Sequence, residues 1–250
     1  MDSGILAIWY DLPEAGRQAH LDWLHQVHLP EILARPGFAW AAHYQITGGG
    51  GAMDQLHERF ARADDDELGT GKDFLILIGA PSPQVFFHPR VDRLTFADQA
   101  SAQAMIAQRQ GARAGVFVEQ AAVTGPEIGA RPAGACPGPA IQMGSFRVKT
   151  PEDEWDLSAW YAQYRLPAMS AMAGAIATRK LVSLAGWARH AVLYEFTSLE
   201  ARQAHFQNHE SLGLDAAEWT SKIVNYTIHS PGSPHIGRRL WPPVAAETPD

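Results

Sequence analysis

Apolar and polar positions along this chain switch between the periods of a strand and a helix, and the order of the switches recurs. Residues Gly4 to Tyr10 form a continuous apolar run, as expected of a strand covered on both faces. Asp11-Leu12-Pro13-Glu14 follows with an acidic residue at capping-box spacing, and a helix is expected from about Glu14 to Leu33. Within it Leu21, Leu24, His28 and Ile32 are spaced by three, four and four, so His28 lies on the inward stripe. Pro30 removes a backbone donor and predicts a kink or break in the last turn. After Pro36-Gly37, Phe38 to Ile46 alternates Phe38, Trp40, Ala42, Tyr44 and Ile46 with Ala39, Ala41, His43 and Gln45, a strand with one bulky face and one small, polar face. Phe74 to Ala80 predicts a third strand, Pro81 to Arg90 a connection, Thr95 to Gln110 a second helix and Gly115 to Thr124 a fourth strand. The order βαββαβ is the ferredoxin-like arrangement, with helices on one sheet face.

The second half repeats it. Trp23, Gln26, Leu29, Pro30, Ala34 and Gly37 align with Trp160, Gln163, Leu166, Pro167, Ala171 and Gly174 at one offset, 160 − 23 = 137. Two positions diverge: His28 is replaced by Arg165, and Glu31 by Ala168. Strands are expected at Ile141 to Lys149, Ala175 to Leu184, His190 to Thr197 and Ser221 to Ser230, with helices at Pro151 to Met172 and Ser198 to Asn208. Thr150-Pro151-Glu152-Asp153 is a helix start with a capping hydroxyl, Pro at the first position and an acid at the third. Phe74 to Ile78 matches Ala191 to Glu195 at an offset of 117, so the segment Thr47 to Gly71 is longer in the first copy by 137 − 117 = 20 residues. That segment holds four consecutive glycines, Gly48 to Gly51, and a short helix is expected near Asp54 to Arg62; long loops are often lids, and surface insertions are also tolerated. The fold class is therefore α+β, two tandem ferredoxin-like repeats at 1–124 and 140–230, a Pro/Gly linker at 125–139 and an extended tail at 231–250.

Composition narrows the partners. The 250 residues carry Lys+Arg 20 against Asp+Glu 27, a net charge of −7, which argues against nucleic acid. The single cysteine, Cys136, sits in the expected linker, excludes an intrachain disulfide framework and suits a reducing cytoplasm. No basic run precedes the first apolar segment and Asp11, Pro13 and Glu14 interrupt it, so neither signal peptide nor membrane span is expected. No nucleotide-binding glycine motif appears, and the pairs His25-x-x-His28 and His205-x-x-x-His209 lack both the zinc-protease signature and a clear third ligand; no metal is expected.

The pattern Trp23…His28-Leu29-Pro30…Pro36-Gly37-Phe38, with Ala191 to Phe196 followed by Ser198-Leu199-Glu200 and the ending Ser230 to Pro242, resembles the EthD-like group of the dimeric α/β-barrel superfamily. The resemblance implies two ferredoxin-like sheets packed as a barrel, here within one chain, enclosing a pocket lined by strand side chains. It also implies a choice among cofactor-free monooxygenases, polyketide cyclases, muconolactone-type isomerases and haem-dependent enzymes, so fold alone does not settle function.

His28 is the first catalytic candidate, since an imidazole moves protons near neutrality without a cofactor; the resemblance implies an acid/base role for the histidine of the His-Leu-Pro pattern. Tyr10 or Tyr44 is expected to polarise a carbonyl, and Trp9, Trp40 and His43 to wall the pocket, with only one of Trp9 and Tyr10 facing it because neighbours on a strand diverge. Aromatic residues of this kind also serve simply as core. Arg165, Arg179 and Tyr194 are candidate substrate contacts in the second half, and Glu195 is expected to need Arg165 or Arg179 as an ion-pair partner. The expected activity is a cofactor-independent lyase, isomerase or cyclase acting on a hydrophobic aromatic or polyketide-like molecule. The alternatives are a non-catalytic binder and an oxygenase, cofactor-free or haem-dependent. A second copy of the chain is a candidate partner.

Overall fold

The computed structural model describes residues 2–48, 60–64, 66, 68–131, 135–206 and 218–244. The glycine run from 49 on, most of the expected 54–62 helix, the end of the 198–208 helix and the tail beyond 244 lie outside them. The first half contains β1 (Gly4–Asp11), α1 (Arg17–Trp23), α2 (Leu29–Leu33), β2 (Trp40–Ile46), the two-residue β3 (Ala61–Arg62), β4 (Phe74–Ala80), α3 (Gln99–Ile106) and β5 (Gln110–Thr124). The second contains β6 (Ala140–Val148), α4 (Pro151–Trp160), α5 (Leu166–Ser170), β7 (Ala175–Ala185), β8 (His190–Phe196), α6 (Leu199–Ala201), α7 (Trp219–Tyr226), β9 (Thr227–His229) and β10 (His235–Trp241).

Eight strands form a closed ring in the order β10-β2-β4-β1-β5-β7-β8-β6, with β6 pairing back to β10. Closure removes the free sheet edges that would otherwise template unwanted pairing. The halves join twice by the same rule. β5, the last strand of the first repeat, pairs with β7 of the second, and β10 pairs with β2 of the first.

Two expectations for the end of the chain are corrected. Ser221 to Ser230 is a strand only over Thr227–His229; Trp219–Tyr226 is helical, with Thr220, Ser221, Ile223 and Val224 buried at helical spacing. Asp156 of α4 holds it in place by accepting from Trp219 Nε1 and Tyr226 Oη, both at 2.9 Å. The segment expected as a tail supplies β10, the strand that closes the barrel. Ser230 to Pro234 divides the fourth strand of the repeat in two, both parts lying on β6. Nor is Cys136 in a free linker: it is buried in the barrel core and accepts a hydrogen bond from Arg239.

Inside the ring, Ile5, Trp9, Trp40, Tyr44, Phe117, Ile141, Met143 and Leu193 pack against one another. Gly79 faces Trp40 across the ladder, and a Cβ there would overlap the indole, so this position admits only glycine. Two further cores lie outside the ring, one between each half's sheet and its helices.

The helix predicted over 14–33 runs from Arg17 to Leu33 and is not broken at Pro30. A π-turn, Leu24–His28, inserts one residue, and the Leu29 N–H reaches back to the Leu24 carbonyl. The wider turn accommodates a proline that has no donor to offer the regular ladder. The second copy does the same at Tyr161–Arg165 before Pro167, with Leu166 N–H on the Tyr161 carbonyl. The sequence offset of 165 − 28 = 137 is thus preserved in the backbone, and His28 and Arg165 end equivalent turns.

Candidate functional site

The barrel interior is filled by the aromatic side chains that alternation turns inward. The large hollow lies on the other face of the first half's sheet, a cavity of about 530 Å³ between β1, β4 and β5 and the helices. Leu6 and Ile8 of β1 and Ile76 and Ile78 of β4 form its floor, with Ala112 and Ala114 of β5. Leu29 and Ile32 of α2 wall one side, and Leu94, Phe96, Ile106 and Ala107 the other. Its size and mostly apolar lining are in the range of small-molecule pockets.

Two of the polar groups in its wall are unusual. His28, almost fully buried, is clamped between the rings of Trp23 and Phe96, at centroid distances of 4.5 and 4.7 Å. Its Nδ1 is buried without a hydrogen-bond partner. Burial lowers its pKa to about 3, assisted by the positive charge of Arg109, so the ring is neutral at neutral pH. Arg109, at the junction of α3 and β5, is held over the ring of Tyr10 with its guanidinium 4.9 Å from the centroid. Its Nε and one terminal nitrogen are buried with no acceptor, and burial lowers its pKa. A cation in an apolar wall without a counter-charge is costly to bury, and a ligand that brings an anionic oxygen offsets that cost.

The other charged groups of the wall are engaged elsewhere. Arg113 donates to the carbonyls of Gly69, Gly71 and Pro231 and reaches His235. Asp92 is paired with Arg90 at 2.6 Å.

Behind Arg109 runs a buried chain of hydrogen bonds: Tyr10 Oη to His43 Nε2 at 2.9 Å, and His43 Nδ1 to His25 Nε2 at 2.8 Å. Tyr10 is fully buried, and desolvation pushes its phenol well above the usual range. His43, also fully buried, is held well below the usual imidazole value by desolvation first and the charge of His25 next. The chain leads to His25, beside Trp241 of the closing strand.

Of the residues expected at the site, the cavity takes His28 alone. Tyr10 lies under Arg109, and His43 bonds the Tyr10 hydroxyl. Trp9, Trp40 and Tyr44 point into the barrel, where Tyr44 donates to the carbonyls of Pro137 and Gly138. Arg165 and Tyr194 line a separate, smaller cavity in the second half. Arg179 belongs to an ion cluster with Asp2, Glu119 and Glu195, and Glu195 also takes Arg131 at 2.7 Å. Glu195 therefore has the Arg179 partner that was expected, and not Arg165. None of the described residues between Thr47 and Gly71 lines the large cavity; β3 pairs with β9 instead. Arg109 carried no periodic or motif signal, because it sits where a helix hands over to a strand.

This ring of two ferredoxin-like halves is the dimeric α/β-barrel fold in tandem form, closed within one chain. Among solved structures it is similar to a candidate monooxygenase of Fusobacterium nucleatum at 8% identity and a TM-score of 0.56, covering 96% of this chain and 93% of that one. It is also similar to an anthrone oxidase-like protein (11%, TM-score 0.52, 96% and 91% covered) and to a candidate chlorite dismutase (13%, TM-score 0.52, 96% and 96% covered). At these identities the likeness establishes the fold. No family model matches the sequence, and comparison with curated proteins returns no match. Among the described residues no group of three or more His, Cys, Asp or Glu is arranged to hold a metal ion, and no helix is long and apolar enough to cross a membrane.

Proposed function

We propose that the chain is a cofactor-independent acid–base enzyme, of lyase, isomerase or cyclase type, for an aromatic or polyketide-like molecule bearing an enolisable or phenolic oxygen. The observation that supports this most directly is the pairing of an unpartnered guanidinium with a neutral imidazole in one apolar cavity. In this reading Arg109 receives the oxygen on which negative charge develops, where low polarity strengthens the contact. His28 takes the proton from the adjacent carbon and returns it to another atom of the same substrate.

An imidazole with a pKa of about 3 is a weak base. Part of that depression comes from Arg109, and an oxyanion at Arg109 cancels it. Basicity is thus raised when substrate is in place, which ties proton transfer to binding. An oxygenase reading shares the first step, because a carbanion or phenolate held by Arg109 is the species that oxygen attacks; the anthrone oxidase-like neighbour favours keeping it second. Haem suits the cavity poorly. A ligating histidine normally donates its other nitrogen to an acceptor, and His28 Nδ1 has none, while two propionates would find one unpaired arginine.

The test is solvent deuterium exchange at the acidic carbon of a hydroxylated aromatic ketone, followed by NMR, with binding measured in parallel by tryptophan fluorescence. Wild type should bind and exchange, and His28→Gln should bind without exchanging. Binding with no exchange by wild type at any pH from about 6 to 9, around the ordinary imidazole range, makes the protein a carrier. Equal affinity for the ketone and its O-methyl ether removes Arg109 from the account.

A further inference from the structure

We propose that the second half holds a separate binding site for a small planar monoanion, a carboxylate or nitrate in shape, with Arg165 as its receptor. The proposal is independent of the reaction assigned to the first half. Arg165 is 5% exposed, and its Nε and one terminal nitrogen are buried without an acceptor. It lines a cavity of about 70 Å³ together with Tyr161, Val192, Tyr194 and Ile223. A water needs roughly 10–15 Å³ of such space, so the cavity holds a few waters or an ion of three or four heavy atoms and excludes an aromatic ring system.

The guanidinium is oriented as well as buried. Its Cζ lies over the ring of Trp160, 4.7 Å from the centroid, and over that of Phe206, at 5.5 Å. A guanidinium donates only from its edge, and the parallel N–H groups there, including the unpartnered Nε and terminal nitrogen, match two coplanar oxygens. No acidic side chain lies among the described residues lining the cavity. Lys180, also buried, lies outside the lining and is engaged separately: its donors go to His190 and the Leu181 carbonyl, and His190 in turn meets Glu154 at 2.7 Å, so that carboxylate is not offered to Arg165. A counter-ion seated at Arg165 supplies the missing charge.

The experiment is thermal unfolding of the full chain in sodium formate against sodium gluconate at equal ionic strength. Gluconate carries the same charge and is too large to enter. Formate should raise the midpoint by roughly 5 °C at a concentration 100 times its dissociation constant, and gluconate should not. Arg165→Met should abolish the difference, while Arg109→Met keeps it, which separates this site from the first. Arg165→Lys serves if the methionine variant does not fold, and should weaken the formate response at least tenfold in concentration because the fork is lost. A wild-type midpoint that responds equally to both salts overturns the proposal, as does an undiminished formate response in the Arg165 variant that folds.

Discussion

The two halves share a backbone down to the π-turn before each Leu-Pro, yet one keeps a cavity of about 530 Å³ under its helices and the other about 70 Å³. The difference lies in what the equivalent turn carries. In the first half His28 stands at the wall of the hollow. In the second, Arg165 packs against Trp160 and Phe206, and Tyr161, which replaces Leu24, adds bulk beside it. A duplicated scaffold has thus been left open on one side and filled on the other, and the ring that joins the halves does not depend on either choice.

The largest expected effect concerns the ring. A chain ending at Ser233 lacks β10 and leaves β2 and β6 with unpaired edges, and should give no cooperative unfolding transition and a rise in aggregation by light scattering. Next is Arg109→Met, expected to weaken binding of a phenolic ligand by roughly 10- to 100-fold, in line with losing a hydrogen bond to a charged group, with the midpoint unchanged or raised. The same measurement on Arg165→Met should leave that affinity alone. Ala114→Trp, which fills the first cavity as the second is filled, should lower the affinity about tenfold without a loss of stability.

The smallest effect is on pH dependence. Burial lowers His20 to about 4 and His28 to about 3, against an unfolded value near 6.5. Above that value both states are neutral and the full stability is present. As pH falls below it, the unfolded chain binds protons that the folded chain excludes, so stability is lost at up to about 1.4 kcal/mol per pH unit for each histidine. Urea unfolding of His28→Leu between pH 6.5 and 4.5 should show a slope smaller by about one proton.

Much of the fold was legible because the repeat, the alternation and the three-four spacing report burial directly. The strands of both halves fall within a few residues of their expected ends except at the close of the chain. There, Ser221, Ile223 and Val224 fall inside the strand expected from Ser221 to Ser230, and Ile and Val do favour strands, although together with Thr220 their burial follows a helical spacing. The Ser230 to Pro234 break disguised one interrupted strand as strand and tail. Of the residues expected to wall a pocket in the first half, only His28 lines this cavity. Alternation put Trp9 and Tyr10 on opposite faces but could not say which face was hollow, and no local pattern marks an arginine whose importance comes from the acceptor it lacks.

The closing strand also sets a schedule. Thr47, at the end of β2, finds its partner at Ile236, 189 positions later. At synthesis rates of about 5–20 residues per second, β2 waits roughly 10 to 40 s for its neighbour. Throughout that interval the emerging first half presents a bare, hydrogen-bond-hungry margin to the crowded space around the ribosome.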